Sequence, residues 1–290
     1  MQVVITIPAY NEENTIGPVI EEIKQVMGAT NYKYKILVVD DGSTDNTVVV
    51  ARKLGAKVIK KRHSGLLGTF KREIEECLKI KADVIVHTDA DGQYPAIFIP
   101  SLIEEVEKGK DLVLGSRFKG EIIGMPFIKR TGNIAFAKIF TQICKTEITD
   151  STTGFRAFTK ELAETIEYNT DFTYTHEQLI KASKLGFVIS EISVDARETR
   201  DSRLMNGPFD YAIKAWINIL RIYRDYKPLA FFGKLGMIFL VVGVLIGLYI
   251  ICTFLELGTV GGIPRVIFSV LLILTGIQII LFGFLADMKK

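Results

Sequence analysis

Asp89-Ala90-Asp91-Gly92-Gln93-Tyr94-Pro95 is the stretch whose residue types and spacing point most directly to chemistry. It follows the apolar run Val84-Ile85-Val86, and alternation along an extended chain carries Asp89 and Asp91 to one side as the backbone leaves a sheet. Gly92 and Pro95 then force a turn. Two carboxylates so close repel each other unless a cation lies between them. A hard divalent ion, Mg2+ or Mn2+, takes a few carboxylate oxygens, keeps waters and completes its coordination with substrate phosphates. The residues alone also suit a solvated Asp/Gly turn, so their surroundings must decide.

Those surroundings alternate strand and helix. Short apolar runs predict strands over Val3–Ile7, Ile36–Val39, Ala56–Lys60, Ala82–Thr88 and Asp111–Ser116. Between them, caps and helical periodicity predict helices over Asn11–Met27, from a Thr44 or Asp45 cap through Leu54, over Gly65–Ile80 and over Ala96–Lys108. Repeated units of this size mean an α/β fold with a mainly parallel sheet and helices on both faces, which binds ligands beyond the carboxyl ends of its strands. Pro8-Ala9-Tyr10-Asn11-Glu12, Asp40-Asp41-Gly42-Ser43, Asp89-Ala90-Asp91 and Gly115-Ser116-Arg117 all fall at those ends. No Gly-x-Gly-x-x-Gly follows the first strand and there is no Walker loop, which argues against dinucleotide and P-loop folds.

Nearly half of the 290 residues are hydrophobic (48%), and the excess is local. Leu235–Leu255 and Val266–Ala286 contain no charged residue, and as helices each is long enough to cross a bilayer core of about 30 Å. The expected domains are 1–207, a catalytic unit; 208–228, an amphipathic interfacial helix; and 229–290, a membrane hairpin. No secretory signal is expected at Met1-Gln2. Arg221, Arg224, Lys227 and Lys234 precede the first span and Lys289 and Lys290 follow the second, so the positive-inside rule places both termini in the cytoplasm, with Glu256–Arg265 outside. Cys77, Cys144 and Cys252 lack metal-ligand spacing and predict neither disulfide nor zinc. A formal net charge of +3 is too small to suggest a nucleic-acid partner.

Thr6-Ile7-Pro8-Ala9-Tyr10-Asn11-Glu12-Glu13, Val38-Val39-Asp40-Asp41-Gly42-Ser43-Thr44-Asp45, the Asp89-Ala90-Asp91 signature and Gly115-Ser116-Arg117, in this order, resemble the family 2 glycosyltransferases of GT-A fold. Within that family, Asp89–Pro95, Asp150-Ser151-Thr152-Thr153-Gly154-Phe155-Arg156 and the membrane tail are similar to the dolichol-phosphate mannose synthase group and its polyprenyl-phosphate glucose relatives. The resemblance implies transfer of one sugar from a nucleotide diphosphate sugar to a polyprenyl or dolichyl phosphate in the bilayer. GDP-mannose is the favoured donor and UDP-glucose the next. Asp89, Asp91 and Gln93 are then the metal ligands. Pro8, Tyr10, Glu12, Asp40, Asp41, Ala90, Arg117 and Arg200 join them around the donor, and Asp89, Asp91, Arg117 and Arg200 carry catalysis. Ser202, Arg203, Arg130, Asp150 and Arg156 are expected around the acceptor phosphate. Gly154 stands where some of the glucose enzymes carry an aspartate, and Lys71 and Arg72 depart from the family's small-residue pattern.

A phosphate monoester, with its second pKa near 6, is already anionic at neutral pH, so no general base is needed and direct attack with inversion is expected. Glu177 falls near where processive members carry their base, and suits structural support equally. His63, His87 and His176 are scattered and read as packing or surface residues. Met125–Lys145 and the stripe Phe209, Ile213, Trp216, Leu220, Tyr223 combine an aromatic apolar face with basic flanks, which suits the membrane interface, although either face could instead pack on the domain. Two spans are compatible with a monomer or a homo-oligomer. The alternatives are a same-fold transferase using another lipid acceptor and a non-catalytic nucleotide-sugar binding subunit.

Overall fold

The computed structural model describes residues 1–120, 127–168, 174–197, 217, 220–221, 223–224, 226–258 and 262–288, the side chains of 127–129 excepted. The chain divides into two units, Met1–Ala212 and Ile213–Lys290.

The first unit is built on one sheet of seven strands, β1 (Gln2–Ala9), β2 (Lys33–Asp40), β3 (Lys57–Lys60), β4 (Val84–His87), β5 (Leu112–Ser116), β6 (Arg156–Thr159) and β7 (Ile189–Ser193), in the order β3-β2-β1-β4-β6-β5-β7. Strands β1 and β4 and the Ile36–Val39 stretch of β2 are almost continuously apolar because helices cover both faces, and Val3, Val4, Ile5, Val38, Ile85 and Val86 are fully buried. The helices are α1 (Ile16–Gly28), α2 (Thr47–Lys53), α3 (Gly65–Lys79), α4 (Ile99–Glu107, after a 3-10 turn Ala96–Phe98), α5 (Phe127–Cys144), α6 (Lys160–Thr165) and α7 (Tyr174–Lys184). In α1, Ile16, Val19, Ile20, Ile23 and Met27 recur at helical spacing and are buried against the sheet.

The alternating α/β architecture is as expected, with three local differences. Strand β6 lies outside the expected set and runs antiparallel between β4 and β5, where the other pairings are parallel. Its reversed direction brings its first residue, Arg156, to the edge at which β1, β2, β4 and β5 end, opposite His87 and Leu114. Helix α1 begins at Ile16, five residues later than Asn11, because Asn11 adopts a left-handed φ of 55° and its Oδ1 accepts the Thr44 N–H at 2.9 Å. Helix α2 begins at Thr47 after Asn46, and Asp45 accepts the Thr47 N–H from one position further out.

In the second unit, α8 (Pro228–Leu257) ends at left-handed Gly258 and α9 (Ile263–Asp287) returns. Both are long and apolar enough to cross a membrane, and most of their apolar side chains are exposed, unlike a buried soluble hairpin. Gly236 and Gly243 on α8 face Gly276 and Ile273 on α9 so closely that a Cβ on Gly236 would lie 2.5 Å from the Gly276 carbonyl oxygen. Ser269 Oγ donates to the Gly243 carbonyl at 2.8 Å, closing the seam as small residues do between membrane helices.

Candidate active site

The chain leaves β1 and β2 in two loops that are tied together. Asn11 N–H donates to Ser43 Oγ at 2.9 Å, Glu12 N–H to Thr47 Oγ1 at 2.8 Å, and Glu13 N–H to Asp45 Oδ2 at 3.1 Å. Pro8 lies within β1, and Tyr10 projects from its end, 41% exposed. Its ring meets His63 with centroids 4.7 Å apart, and His63 Nδ1 lies 2.9 Å from Asp41 Oδ2. His63 is therefore a member of the first loop cluster, a placement that its isolated position in the sequence does not signal.

Asp41, expected beside the donor, is held by groups of the 61–65 segment. Lys61 Nζ and the Ser64 N–H bond its Oδ1, while the Gly65 N–H bonds its Oδ2 at 3.0 Å. Burial raises the Asp41 pKa, but Lys61, the Ser64 N–H and His63 outweigh it, so the carboxyl sits below its ordinary range. Asp41 holds the start of α3, with both carboxylate oxygens accepting from it or from the loop before it. Asp40 differs: Oδ2 accepts the Ser43 N–H at 3.1 Å, and the buried Oδ1 has no partner among the described residues. Glu12 is buried and accepts the Thr15 hydroxyl at 2.9 Å.

Beyond β4 lies a cavity of about 280 Å³ lined by Leu66, Asp89, Gln93, Tyr94, Arg117, Asn133, Thr152, Gly154, Tyr174 and Thr175. Burial pushes the Asp89 carboxyl up to about 7, and the Asp91 charge adds to this against the pull of Arg117 and Arg156. An anion this disfavoured, beside a second carboxylate, suits a bound cation. Among the described residues no three His, Cys, Asp or Glu side chains form a complete metal set. Two carboxylates and the Gln93 amide instead suit a hard ion that shares its shell with water and substrate phosphates. Ala90 is buried beneath the turn, and Asp91 Oδ1 accepts the Gln93 N–H at 3.0 Å.

Arg117, just past β5, reaches the same cavity. Asp150 grips it through Nε at 2.6 Å and Nη2 at 2.9 Å, and Thr152 Oγ1 accepts from Nη2 at 2.8 Å. Nη1 takes part in none of these bonds. Asp150, expected around the acceptor phosphate, turns its carboxylate onto Arg117. Arg156, expected around the acceptor phosphate, is turned inward. Fully buried, it donates to the Thr153 and Thr175 carbonyls and to Gln178 Oε1, bonds that link the Thr153-Gly154 turn to α7 beneath the cavity. Arg130 is exposed on α5, one turn before the cavity residue Asn133. Arg200, Ser202 and Arg203 lie outside the described residues, as does most of the expected interfacial helix, including Trp216.

Glu177 is buried, ion-paired with Lys181 at 2.8 Å, and is not among the described lining residues. Burial drives His87 and His176 down to about 3, so both are neutral rings, stacked on Phe70 and Tyr174 and on Phe136 and Phe140 respectively. Arg72 pairs with Glu75 and Glu76 on its own helix, and Lys71 is exposed. Tyr94 and Thr152 join the cavity from within the quoted motifs, and Leu66, Asn133, Tyr174 and Thr175 complete it from outside them.

Residues 4–167 match the family described as glycosyl transferase family 2. A dolichyl-phosphate hexose transferase of Haloferax volcanii is 33% identical over 67% of this chain and 82% of its own length. A dolichol-phosphate mannosyltransferase of Pyrococcus furiosus is 29% identical over 93% of this chain and 78% of its own. Among solved structures, glucosyl-3-phosphoglycerate synthase of Mycobacterium tuberculosis, crystallised with Mn2+ and UDP, superposes with a TM-score of 0.59 at 20% identity, covering 75% of this chain and 79% of that one. That likeness is one of fold.

Proposed function

Because the chain belongs to glycosyl transferase family 2, we propose that it moves one sugar from a nucleotide diphosphate sugar to a polyprenyl or dolichyl phosphate at the cytoplasmic face of a membrane. GDP-mannose is the favoured donor, UDP-glucose the next, and Mg2+ or Mn2+ the cofactor. The observation that carries this reading is the meeting of Asp89, Gln93 and Arg117 in one cavity, in a chain whose tail forms two membrane-length helices. The names of the Haloferax and Pyrococcus relatives supply the acceptor class.

Asp89, Asp91 and Gln93 would hold the cation, which supplies Lewis-acid stabilisation of the departing diphosphate. Arg117, fixed by Asp150 and Thr152, keeps Nη1 for a phosphate oxygen and counters the charge that grows as the anomeric bond breaks. Among the described lining residues the one carboxylate is Asp89, already assigned to the cation. Among the described lining residues no carboxylate remains to serve as a base, and a phosphate acceptor requires none. Its anionic oxygen attacks the anomeric carbon, and the carbon–oxygen bond to the diphosphate breaks with its electron pair leaving on the nucleotide. The configuration inverts.

The test uses the full chain in detergent with Mg2+ or Mn2+ and a polyprenyl phosphate, comparing release of GDP from GDP-mannose with release of UDP from UDP-glucose and UDP-N-acetylglucosamine. Lipid-dependent release from one donor supports the reading and names the nucleotide. Radiolabel recovered in a glycerolipid, with none in an acid-labile prenyl phosphate, overturns the acceptor assignment.

A further inference from the structure

The loop carrying Asp91 and Gln93 is fastened from outside by two residues remote from it in sequence. Glu22, on α1, accepts the Ala96 N–H through Oε1 at 3.0 Å. The same carboxylate takes both terminal nitrogens of Arg197, Nη1 on Oε2 at 2.8 Å and Nη2 on Oε1 at 2.9 Å. Arg197 in turn gives its backbone N–H to the Gln93 carbonyl at 2.9 Å. The bonds form a closed ring: Gln93 to Ala96 through the chain, Ala96 to Glu22, Glu22 to Arg197, and Arg197 back to Gln93.

Other contacts fix the rest of the loop. Gly92, at φ 75°, approaches Val19 of α1, and the Tyr94 ring stacks on Phe155 with centroids 5.1 Å apart. Arg197 lies just past β7, where the Val194 N–H bonds the Ser116 carbonyl beside Arg117. The ring of bonds therefore links the metal-ligand loop to the strand pair that carries Arg117.

We propose that Glu22 and Arg197 are positioning residues that set the placement of the Asp91–Gln93 loop, and through it the affinity of the site for its divalent cation. This rests on the assignment of Asp89, Asp91 and Gln93 as cation ligands. Neither residue lines the cavity, so each acts through the loop backbone. A bidentate guanidinium–carboxylate pair supplies geometry as well as charge, and Lys at 197 cannot reproduce the fork. Residues that touch a metal ligand directly change metal affinity by roughly 10–100-fold when removed. One step further out, about three- to tenfold is expected.

The experiment measures Mn2+ binding by the electron paramagnetic resonance signal of free Mn2+, with no turnover, in the full detergent-solubilised chain with GDP and separately with UDP. Glu22→Gln and Arg197→Ala should each weaken binding by that factor while the unfolding temperature stays close to the parent's. Hydrogen exchange should quicken in a peptide spanning 92–97. Arg197→Lys, which keeps the backbone bond and a charge, should fall between Arg197→Ala and the parent. Both positions are partly exposed, and should Arg197→Ala not fold, Glu22→Gln reads the same ring. Parent-like Mn2+ binding and exchange in a folded variant overturns the positioning role alone. A parent that binds no Mn2+ with either nucleotide overturns the cation assignment and this inference with it.

Discussion

Gly154 offers the sharpest test of the site, because its lack of a side chain has a measurable reason. A Cβ built there would lie 3.0 Å from Asp89 Oδ1, 3.1 Å from Oδ2 and 3.4 Å from Cγ. The first two distances are tighter than nearly all real contacts, so in Gly154→Ala the carboxylate must retreat by a few tenths of an ångström. Metal–ligand distances are satisfied only within about 0.2 Å, so a shift of that size takes Asp89 off its coordinating position. The expected cost is roughly 10–100-fold in Mn2+ affinity, or about 1.4–2.8 kcal/mol. The fold should survive, since Gly154 is not among the residues with positive φ. A backbone that alanine tolerates is stabilised by about 0.4–1 kcal/mol through the unfolded chain, offsetting part of the local crowding. Calorimetric titration of Mn2+ into both proteins with saturating nucleoside diphosphate, alongside thermal unfolding, separates the two effects. Parent-like Mn2+ affinity in a folded Gly154→Ala variant would refute the claim that Asp89 must stay where it lies in order to hold the ion.

Asp91→Ala should abolish metal-dependent transfer, measured as nucleoside diphosphate release with and without chelator; persistent Mn2+-stimulated release would remove Asp91 from the site. Arg117→Lys keeps the charge but loses the fork held by Asp150, so kcat should fall by roughly 10–100-fold with a smaller change in donor KM. An unchanged kcat would exclude Arg117 from stabilising the leaving group. Asp41 sits below its ordinary range despite burial, chiefly through Lys61 and the Ser64 N–H, so its unfolded form protonates first as acid is added. Its stabilisation is complete above the unfolded pKa near 3.8 and is lost as pH falls through the lower folded value, so the gap in unfolding temperature between parent and Asp41→Asn should narrow from pH 6 towards pH 3. A gap that does not change with pH would contradict this. Glu73 behaves oppositely: fully buried on α3, with His87 Nε2 3.6 Å from its Oε2, it is raised well above 4.5, first by burial and then by the Asp89 charge, against a smaller lowering by the Thr6 hydroxyl. The folded protein keeps a proton there that the unfolded chain releases, so parent stability declines as pH rises above about 4.5, and Glu73→Gln should gain on the parent from pH 5 to pH 8 in chemical unfolding. Parallel curves would show that Glu73 is ionised in the fold.

What could be read in advance follows from how local each signal is. Strands β1, β2, β4 and β5 announce themselves because a parallel strand covered on both faces must be a short unbroken apolar run, and the residue after each run must lie at the ligand-binding edge. That rule alone places Tyr10, Asp40, Asp89 and Arg117 on one side of the sheet. Strand β6 escapes it, since Arg-Ala-Phe-Thr is four residues long and begins with a charge. The missing strand also hides from the sequence which groups Asp150 and Arg156 bond. In a loop, an aspartate and an arginine near an acceptor site look like ligands. Once β6 runs antiparallel between β4 and β5, Arg156 is carried into the interior opposite His87, and Asp150 is brought under Arg117. The charges sit near the expected place but face the protein. Lengths and spacings mark the residues proposed to meet a substrate, because those stand where strands stop. The residues that hold them, Asp41 under the first helix turn of α3, Asp150 on Arg117, and Glu22 with Arg197 outside the metal loop, are chosen by pairings across 24, 33 and 175 positions. No periodicity within one element encodes separations of that length, and a folded backbone is needed to reveal them.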